Sequence, residues 1–316
     1  KAPRSIESNN TYQYELSTEE NYSLPTPSSP RHAGAYAHLR STLDYSYHKY
    51  YIVQRQAFQD KEIESMLKKV QVYDLVNDVK CSMPKSHPWI VFTAGAMGAG
   101  KTHTIKFLAD SGRFPRHSFV TVDPDEIRRR LPEYPQYIRN NPETAGEYTR
   151  KESGYISEIL IKAALEKGKN VLVDGSLRDW EWYHQYFIDL KTEYDRYQIA
   201  ILHITASREV VFERVKHRSL ITGRVVPHQT IEIALKQVPQ SVRILSKVVD
   251  VCIELNNMRS SARPIESSLN CSDHDKGIQL VANRDSSCVG DSHDENNHSE
   301  MTWDKFTKTW RQTCGN

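Results

Sequence analysis

Short apolar runs alternate, along the middle of the chain, with longer stretches in which apolar residues recur every three or four positions. The runs are short, often β-branched and bounded by polar residues or glycine, as is typical of buried strands. The five predicted strands cover residues 89–94, 118–122, 170–173, 198–204 and 249–255, and the main predicted helices cover 101–109, 146–166, 180–194 and 208–218. This alternation predicts an α/β fold with a parallel sheet of about five strands and helices on both faces.

The residues before this region have two different patterns. Residues 1–33 are rich in Ser, Asn, Glu and Pro, so we expect them to be disordered, because they offer too little apolar surface to offset the entropy of ordering. Residues 34–84 contain helix formers with recurring apolar and aromatic positions, as in YYIVQRQAFQDKEIESMLKKV. They predict a helical extension in front of a domain at residues 85–257.

The residues after this domain become polar again. Residues 258–298 are rich in Ser, Asn and Asp and predict a second disordered segment. In residues 299–316, Trp303, Phe306 and Trp310 share one face of a predicted amphipathic helix. This helix either docks back onto the domain or binds a protein partner.

Charge and cysteine content narrow the classes of function. The chain has 42 Lys and Arg against 40 Asp and Glu, a net charge of +2, so no overall basic field favours nucleic acid or an acidic membrane. Its five cysteines are widely spaced and form a poor disulfide framework. No run of about 18 apolar residues occurs, and the first residues lack the apolar centre of a signal peptide. We therefore expect a cytoplasmic protein.

The sequence GAMGAGKTH, between the first predicted strand and the helix after it, matches the phosphate-loop pattern G-x-x-x-x-G-K-[ST]. Glycines let successive backbone N–H groups converge on phosphate oxygens at the positive end of a helix. The lysine then reaches the outer phosphates, and the threonine hydroxyl binds Mg²⁺. The predicted nucleotide-binding residues are Gly95, Ala96, Met97, Gly98, Ala99, Gly100, Lys101, Thr102 and His103. The loop predicts a site for ATP or GTP with Mg²⁺.

Acidic residues follow the next two predicted strands. Asp123 and Asp125 come directly after strand 118–122, at the edge where α/β sheets hold their ligands. One of them can cap the following helix, and we assign Asp125 as the base that accepts the proton of an acceptor hydroxyl. Asp174 follows strand 170–173 and is the predicted second Mg²⁺ residue, with Thr102.

Arginines follow the fourth predicted strand. Arg214, Arg218 and Arg224 are candidates for a lid that neutralises charge on a transferring phosphoryl group, and a solvated basic helix face is the alternative. The run 128–130 spreads around a helix, so at most one or two of its three arginines can face the site.

Aromatic residues are concentrated in the predicted helix 180–194. They are Trp180, Trp182, Tyr183, Tyr186 and Phe187. Such a group is more often helix core than a platform on which bases stack, and we expect core packing here.

Taken together, GAMGAGKT, VDPDEIRRRLP and VDGSLRD resemble the zeta-toxin family of P-loop kinases over roughly residues 85–255. The family phosphorylates the 3'-hydroxyl of UDP-N-acetylglucosamine with ATP or GTP. The resemblance implies Asp125 and Lys101 as catalytic residues, with Arg214 and Arg224 as the lid arginines. Where the family's motif is acid-Gly-Thr with a glutamate, this chain has Asp174, Gly175 and Ser176.

The resemblance also implies how the acceptor binds. It places the sugar-nucleotide contacts on Asp125, Glu158 and Ser176, whereas the residues alone favour a solvated surface role for Glu158. We therefore predict a phosphotransferase acting on a hydroxyl of a sugar nucleotide such as UDP-N-acetylglucosamine, with a protein partner held through the tails. The alternatives are a kinase of nucleosides or polynucleotide 5'-hydroxyl ends and, in another class, a nucleotide-binding regulatory module without catalysis.

Overall fold

The protein is described by a computed structural model that covers residues 12–24, 30–70, 72–74, 79–81, 88–111, 113–222, 225–257 and 278–285. Its strands are β1 (Val72–Asp74), β2 (Val79–Cys81), β3 (Trp89–Ala94), β4 (Phe119–Val122), β5 (Asn170–Val173), β6 (Gln198–Thr205), β7 (Val251–Asn257) and β8 (Ile278–Asp285). β1 and β2 pair as an antiparallel hairpin, and the other strands form a six-stranded sheet in the order β4-β5-β3-β6-β7-β8.

Five of the six strands run parallel, which confirms the predicted α/β fold. The predicted bounds of β3 and β5 are correct, while those of β4, β6 and β7 differ by one or two residues at an end. The antiparallel edge strand β8 lies inside the predicted disordered segment 258–298 and pairs with β7. An edge strand gains its partners through backbone groups, so its short apolar run gave only a weak pattern.

Helices cover both faces of this sheet. They are α1 (Thr18–Asn21), α2 (Ala37–Arg40), α3 (Val53–Lys68), α4 (Lys101–Asp110), α5 (Pro124–Arg130), α6 (Tyr134–Asn140), α7 (Ala145–Tyr148), α8 (Arg150–Glu166), α9 (Trp180–Glu193), α10 (Arg208–Thr222) and α11 (His228–Leu245). The predicted helix 146–166 breaks at Thr149 into α7 and α8, and the long helix α11 was not predicted. Pro239 lies inside α11, and proline usually ends a helix because it lacks a backbone donor.

Alternate residues of the central strands bury on opposite faces of the sheet. On one face, Ile90 and Phe92 of β3 join a core formed with α8 and α9. On the other, Trp89 and Val91 pack in a second core with Leu108 of α4. All six residues of β3 are buried, because helices cover both sides of this strand. Among the described residues, no helix is long and apolar enough to cross a bilayer.

The segment before the sheet belongs to the folded body. Residues 12–24, which the sequence predicts to be disordered, form a turn and the helix α1, where Thr18 and Glu19 are buried. The hydroxyl of Tyr12 lies 2.7 Å from that of Tyr137 in α6. The contacts of this segment are largely polar. Its low apolar content, from which disorder was predicted, therefore did not reveal that it is ordered. The domain bounds at 34–84 and 85–257 stay predictions; residues 299–316, with the proposed helix, lie outside the described residues.

A buried ion cluster joins the helical extension to the sheet domain. Arg55 of α3 donates to both carboxylate oxygens of Glu152 in α8 and to both of Glu133, at 2.6–3.0 Å. Gln59 donates to Glu152 as well, and the rings of Tyr22 and Phe58 lie against the Arg55 guanidinium. A buried charge is tolerated when such partners replace its water, so these contacts fix α3 against α8.

We predict that Arg55→Ala destabilises the whole domain by about 3–5 kcal/mol, because it leaves two buried carboxylates without their main partner. Urea unfolding followed by circular dichroism measures the change. Lys68→Ala is the matched control, since Lys68 pairs with Glu64 on the exposed surface of the same helix, and its cost should stay within about 0.5 kcal/mol. Equal costs for the two variants would show that the Arg55 cluster does not hold the extension in place.

Candidate active site

The loop between β3 and α4 has the geometry of a phosphate cradle. Gly98 and Gly100 have φ angles of 90° and 93°, in the left-handed region that favours glycine. A Cβ at Gly98 would lie 2.6 Å from the carbonyl oxygen of Val211, and one at Gly100 would lie 2.3 Å from Nδ2 of Asn257. The loop therefore requires glycine at both positions, and Gly100 directly precedes the first turn of α4.

Lys101 folds over this loop. Its Nζ donates to the carbonyl oxygens of Gly95 at 2.9 Å and Ala96 at 3.4 Å. The residue is half-buried, but its ammonium end is desolvated, and this burial lowers the pKa of Lys101, while the carboxylates of Asp174 and Asp125 oppose the shift. Phosphate oxygens would supply the negative partner that such a poorly hydrated ammonium group lacks.

Asp174 lies at the end of β5 between two threonines. Thr93, in β3, donates to its Oδ1 at 2.7 Å, and Thr102 donates to its Oδ2 at 3.3 Å. The backbone N–H of Gly175 donates in turn to the Thr93 hydroxyl at 3.2 Å. These contacts hold the Asp174 carboxylate facing the first turn of α4.

The Thr102 hydroxyl and the Asp174 carboxylate fit Mg²⁺. Both offer hard oxygen atoms, and Mg²⁺ usually takes one or two protein ligands and completes its shell with water and phosphate oxygens. In the part of the chain that the structure describes, no group of three or more His, Cys, Asp or Glu side chains forms a protein-only metal cage. A metal here would thus bind together with a nucleotide.

The two acids after β4 have separate roles. Asp123 caps α5, where its Oδ1 accepts from the backbone N–H of Asp125 at 2.8 Å. Burial raises the pKa of Asp123, and the nearby Asp174 and Asp125 carboxylates raise it further. Asp125 accepts from Arg128 at 2.7 Å and lies 3.5 Å from Arg218 of α10. The Asp125 carboxylate therefore contacts arginines of two helices, Arg128 in its own helix α5 and Arg218 in α10.

The arginines near the site differ in their contacts. Arg214 donates to the carbonyl of Ala99 and to Oδ1 of Asn257, so it braces the loop, and burial lowers its pKa. Arg218 reaches the Asp125 carboxylate instead. Arg224 lies outside the described residues. In the run 128–130, Arg128 is buried against Asp125 and Arg129 lines the cavity described next, which agrees with at most two of the three facing the site.

One cavity of about 560 Å³ brings these groups together. Its lining comprises Met97, Gly98, Gly100, Lys101, Thr102, His103, Asp123, Pro124, Asp125, Arg129, Asp174, Gly175, Ser176, Arg214, Val215, Arg218 and Val226. Most of the predicted site residues are among them, and the small loop residues Gly95, Ala96 and Ala99 form the backbone behind. The cavity thus holds the phosphate loop and three carboxylates at the carboxyl edge of the sheet.

Glu158 lies apart from this lining. It projects from α8, where its Oε1 accepts from Nε2 of His48, a buried residue of the N-terminal extension, at 3.0 Å. The Glu158 side chain is 34% exposed. Burial raises the pKa of the Tyr186 hydroxyl in α9, and the negative charge of Glu158 raises it further. Glu158 therefore borders the surface between α8 and α9 rather than the phosphate cavity.

Two residues of the site escaped the sequence analysis. Asn257, at the end of β7, is buried and donates to the carbonyl of Ala99 at 3.2 Å and to Oγ1 of Thr104 at 3.3 Å. Thr93 binds Asp174 directly. Both are polar residues at or near the carboxyl end of a strand, and this position was the available indication in the sequence.

The fold and the cavity define a P-loop protein of the kinase-like class. The sequence model of the Zeta toxin family matches residues 73–269, and the chain belongs to this family. Toxin zeta of Streptococcus agalactiae is 21% identical over 195 residues, which are 60% of this chain and 66%, slightly under two thirds, of that toxin.

Two sets of solved structures have a similar fold. A structure from the PezAT chromosomal toxin-antitoxin system of Streptococcus pneumoniae aligns with a TM-score of 0.51 at 17% identity, over 64% of this chain and 76% of that one. A chain of the AvrRxo1-ORF1:-ORF2 structure with ATP aligns with a TM-score of 0.55 at 14% identity, over 85% of this chain and 76% of that one. At these identities the likeness concerns the fold.

We predict that Gly100→Ala weakens binding of Mg²⁺·ATP about ten-fold or more, because its Cβ would displace Asn257 and strain a left-handed residue. Isothermal titration measures the dissociation constant. Gly154→Ala is the control: Gly154 lies in α8 with nothing within 4 Å of the added Cβ, so the affinity should not change. Unchanged ATP binding by Gly100→Ala would contradict the assigned loop geometry.

We predict that Asp123→Asn raises the melting temperature at pH 7 in buffer free of nucleotide and Mg²⁺. Folding raises the pKa of Asp123 above its ordinary 3.8. The folded state therefore holds this proton more tightly than the unfolded state, and wild-type stability falls as the pH rises from 3.8 through the raised pKa. Asparagine removes the charge and keeps the helix cap. The gain should therefore shrink as the pH falls towards 4. Calorimetric scans at both pH values test this, with the exposed Asp195→Asn as control; a gain independent of pH would refute the explanation.

Proposed function

We propose that the protein transfers the γ-phosphate of ATP or GTP to a hydroxyl group of a small molecule, most plainly a sugar nucleotide such as UDP-N-acetylglucosamine. The observation that carries this proposal is the shared cavity: Lys101 and the phosphate loop face the Asp125 carboxylate across it. This arrangement would bring a donor phosphate and a proton acceptor together in one cavity, and in-line phosphoryl transfer requires such positioning.

On the donor side, the loop amides and Lys101 hold the phosphates. Thr102 and Asp174 would hold Mg²⁺, which neutralises charge on the phosphate oxygens when it is bound. Thr93 keeps the Asp174 carboxylate in place for this task. Arg214 keeps the loop closed through Ala99 and Asn257, so its first effect is on the shape of the cradle.

On the acceptor side, Asp125 takes the proton of the attacking hydroxyl. The acceptor oxygen then forms its bond to the γ-phosphorus as the bond from this phosphorus to the β-bridging oxygen breaks, which releases ADP or GDP. Arg128, at 2.7 Å, orients the carboxylate, and Arg218, in longer contact at 3.5 Å, is able to turn towards the transferring group. We assign the same charge-stabilising role to Arg224.

Support for a sugar nucleotide as acceptor comes from membership of the Zeta toxin family and from the position of Ser176. This residue lines the cavity, and we assign it the role of the threonine in the family's acid-Gly-Thr motif because it follows Asp174 and Gly175. Glu158 is the proposed second contact, on the surface beyond the cavity. The near-neutral net charge does not favour a strand of nucleic acid as acceptor.

We also propose a protein partner for this chain. The support is that one similar structure belongs to a toxin-antitoxin system and another is a complex of AvrRxo1-ORF1 with AvrRxo1-ORF2. A partner that covered the cavity would block both substrates together.

We predict that Asp125→Asn reduces phosphoryl transfer at least about 10²-fold, because the amide cannot accept the proton, while Mg²⁺·ATP binding stays within about three-fold of wild type. Radiolabelled ATP is incubated with UDP-N-acetylglucosamine, a nucleoside and a 5'-hydroxyl oligonucleotide. The exposed Asp110→Asn, at the end of α4, is the control and should keep full activity.

The panel also decides between the classes of function. Transfer to the sugar nucleotide supports the proposal, and transfer only to the nucleoside or the oligonucleotide replaces its acceptor. If ATP binds and none of the acceptors is phosphorylated, the chain is instead a nucleotide-binding regulatory module.

A further inference from the structure

Helix α9 has two aromatic faces with different surroundings. Phe187 is fully buried, and its ring lies 4.7 Å from that of Phe92 in the central strand β3. Trp182, in contrast, is 50% exposed and stacks on Tyr186 with ring centroids 4.9 Å apart and an interplanar angle of 22°. Tyr183 and Tyr186 are partly buried and pack against this core, so the expectation of core packing is wrong for Trp180 and Trp182 alone, because only one side of the helix faces the sheet.

Tyr183 connects Trp182 to the phosphate cavity. Tyr183, whose ring is perpendicular to that of Trp182 at 4.8 Å, has its hydroxyl 3.6 Å from the Cβ position of Gly175. Gly175 itself lines the cavity beside Asp174. The aromatic side chains of α9 therefore reach the wall of the cavity at Gly175.

Tyr186 has an acidic neighbour. The Glu158 carboxylate is close enough to Tyr186 that, after burial, it is the largest cause of a raised pKa of the tyrosine hydroxyl. Nε2 of His48, in the N-terminal extension, lies 3.0 Å from Oε1 of Glu158 and fixes its carboxylate. Tyr186 thus carries Trp182 on one side and interacts electrostatically with the Glu158 carboxylate.

We infer that Trp182, supported from behind by Tyr186, forms a stacking platform for the nucleobase of the acceptor. This inference rests on the proposed function and names what holds the acceptor's base. Trp182 is a specificity-determining residue in this reading: it favours acceptors that carry a planar base over those that carry the sugar phosphate alone.

The chemistry of the surface favours a base over a protein segment. The indole of Trp182 is half-exposed and stacked on Tyr186, and such a ring matches a single planar ring system. A docking helix would need a row of exposed apolar residues, yet the exposed positions next to Trp182 along α9 are Glu181, Gln185 and Asp189. The other exposed large apolar residues of α9 are Trp180, at its start, and Ile188, further along, and polar residues separate both from Trp182.

The test measures acceptor binding without catalysis. The full chain is saturated with Mg²⁺ and a non-hydrolysable ATP analogue, so that the phosphate loop is occupied, and is titrated calorimetrically with UDP-N-acetylglucosamine or with N-acetylglucosamine 1-phosphate. Trp182→Ala should weaken binding of the nucleotide sugar about ten-fold or more. Trp182→Phe, which keeps a π-face, should stay within about three-fold, and neither variant should affect the sugar phosphate.

Trp180→Ala is the matched control. Trp180 is 39% exposed at the start of the same helix, and its ring stacks on no aromatic ring in the described part of the chain, so its loss should not change either affinity. Melting temperatures of all variants verify that the fold is intact.

The outcomes are distinct from those of the proposed function. If Trp182→Ala binds UDP-N-acetylglucosamine as wild type does, or loses both ligands equally, the platform does not read the base and the inference is wrong. It is equally wrong if wild type does not bind the nucleotide sugar. Base-dependent binding without any phosphoryl transfer refutes the kinase proposal and leaves the platform standing.

Discussion

The parallel pairing of β4, β5 and β3 is the constraint on which the site depends. Register places Val122 beside Val173, and Val173 beside Phe92, so the residues that follow these three positions emerge at one edge of the sheet. The Asp174 carboxylate joins this edge to α4, since it accepts from Thr93 on the neighbouring strand and from Thr102 in the first helical turn. Without this register, the phosphate loop and the acids would have no common space.

The site concentrates charge that the folded state tolerates at a cost. Three carboxylates share the cavity, the ammonium group of Lys101 is poorly hydrated, and the pKa of Asp123 is raised by burial and by its acidic neighbours. A bound cation would reduce the repulsion among the carboxylates, and bound phosphate would neutralise the ammonium group of Lys101. Such buried, mutually repelling charges lower the stability of the empty protein. Sites for polyphosphates with a metal ion commonly have this property, because the ligand supplies the missing counter-charges.

The N-terminal extension contributes to the site through polar contacts. The Arg55 cluster fixes α3 on α8. His48, which precedes α3, donates to the carboxylate of Glu158, which also belongs to α8. The extension thereby sets the position of the Glu158 carboxylate, which lies outside the phosphate cavity, rather than that of the phosphate loop.

The sequence by itself determined the parallel α/β fold, the phosphate loop and the acids Asp123, Asp125 and Asp174. These features depend on local patterns: apolar runs of strand length, glycines before a lysine, and polar residues at strand ends. Tertiary structure decided that Asn257 braces the loop, that Arg218 of α10 reaches Asp125, and that Trp182 is exposed whereas Phe187 is buried. It also decided that residues 12–24 are folded. Such outcomes depend on which distant elements meet, and hydrogen bonds between residues far apart in the chain leave no periodic pattern along it.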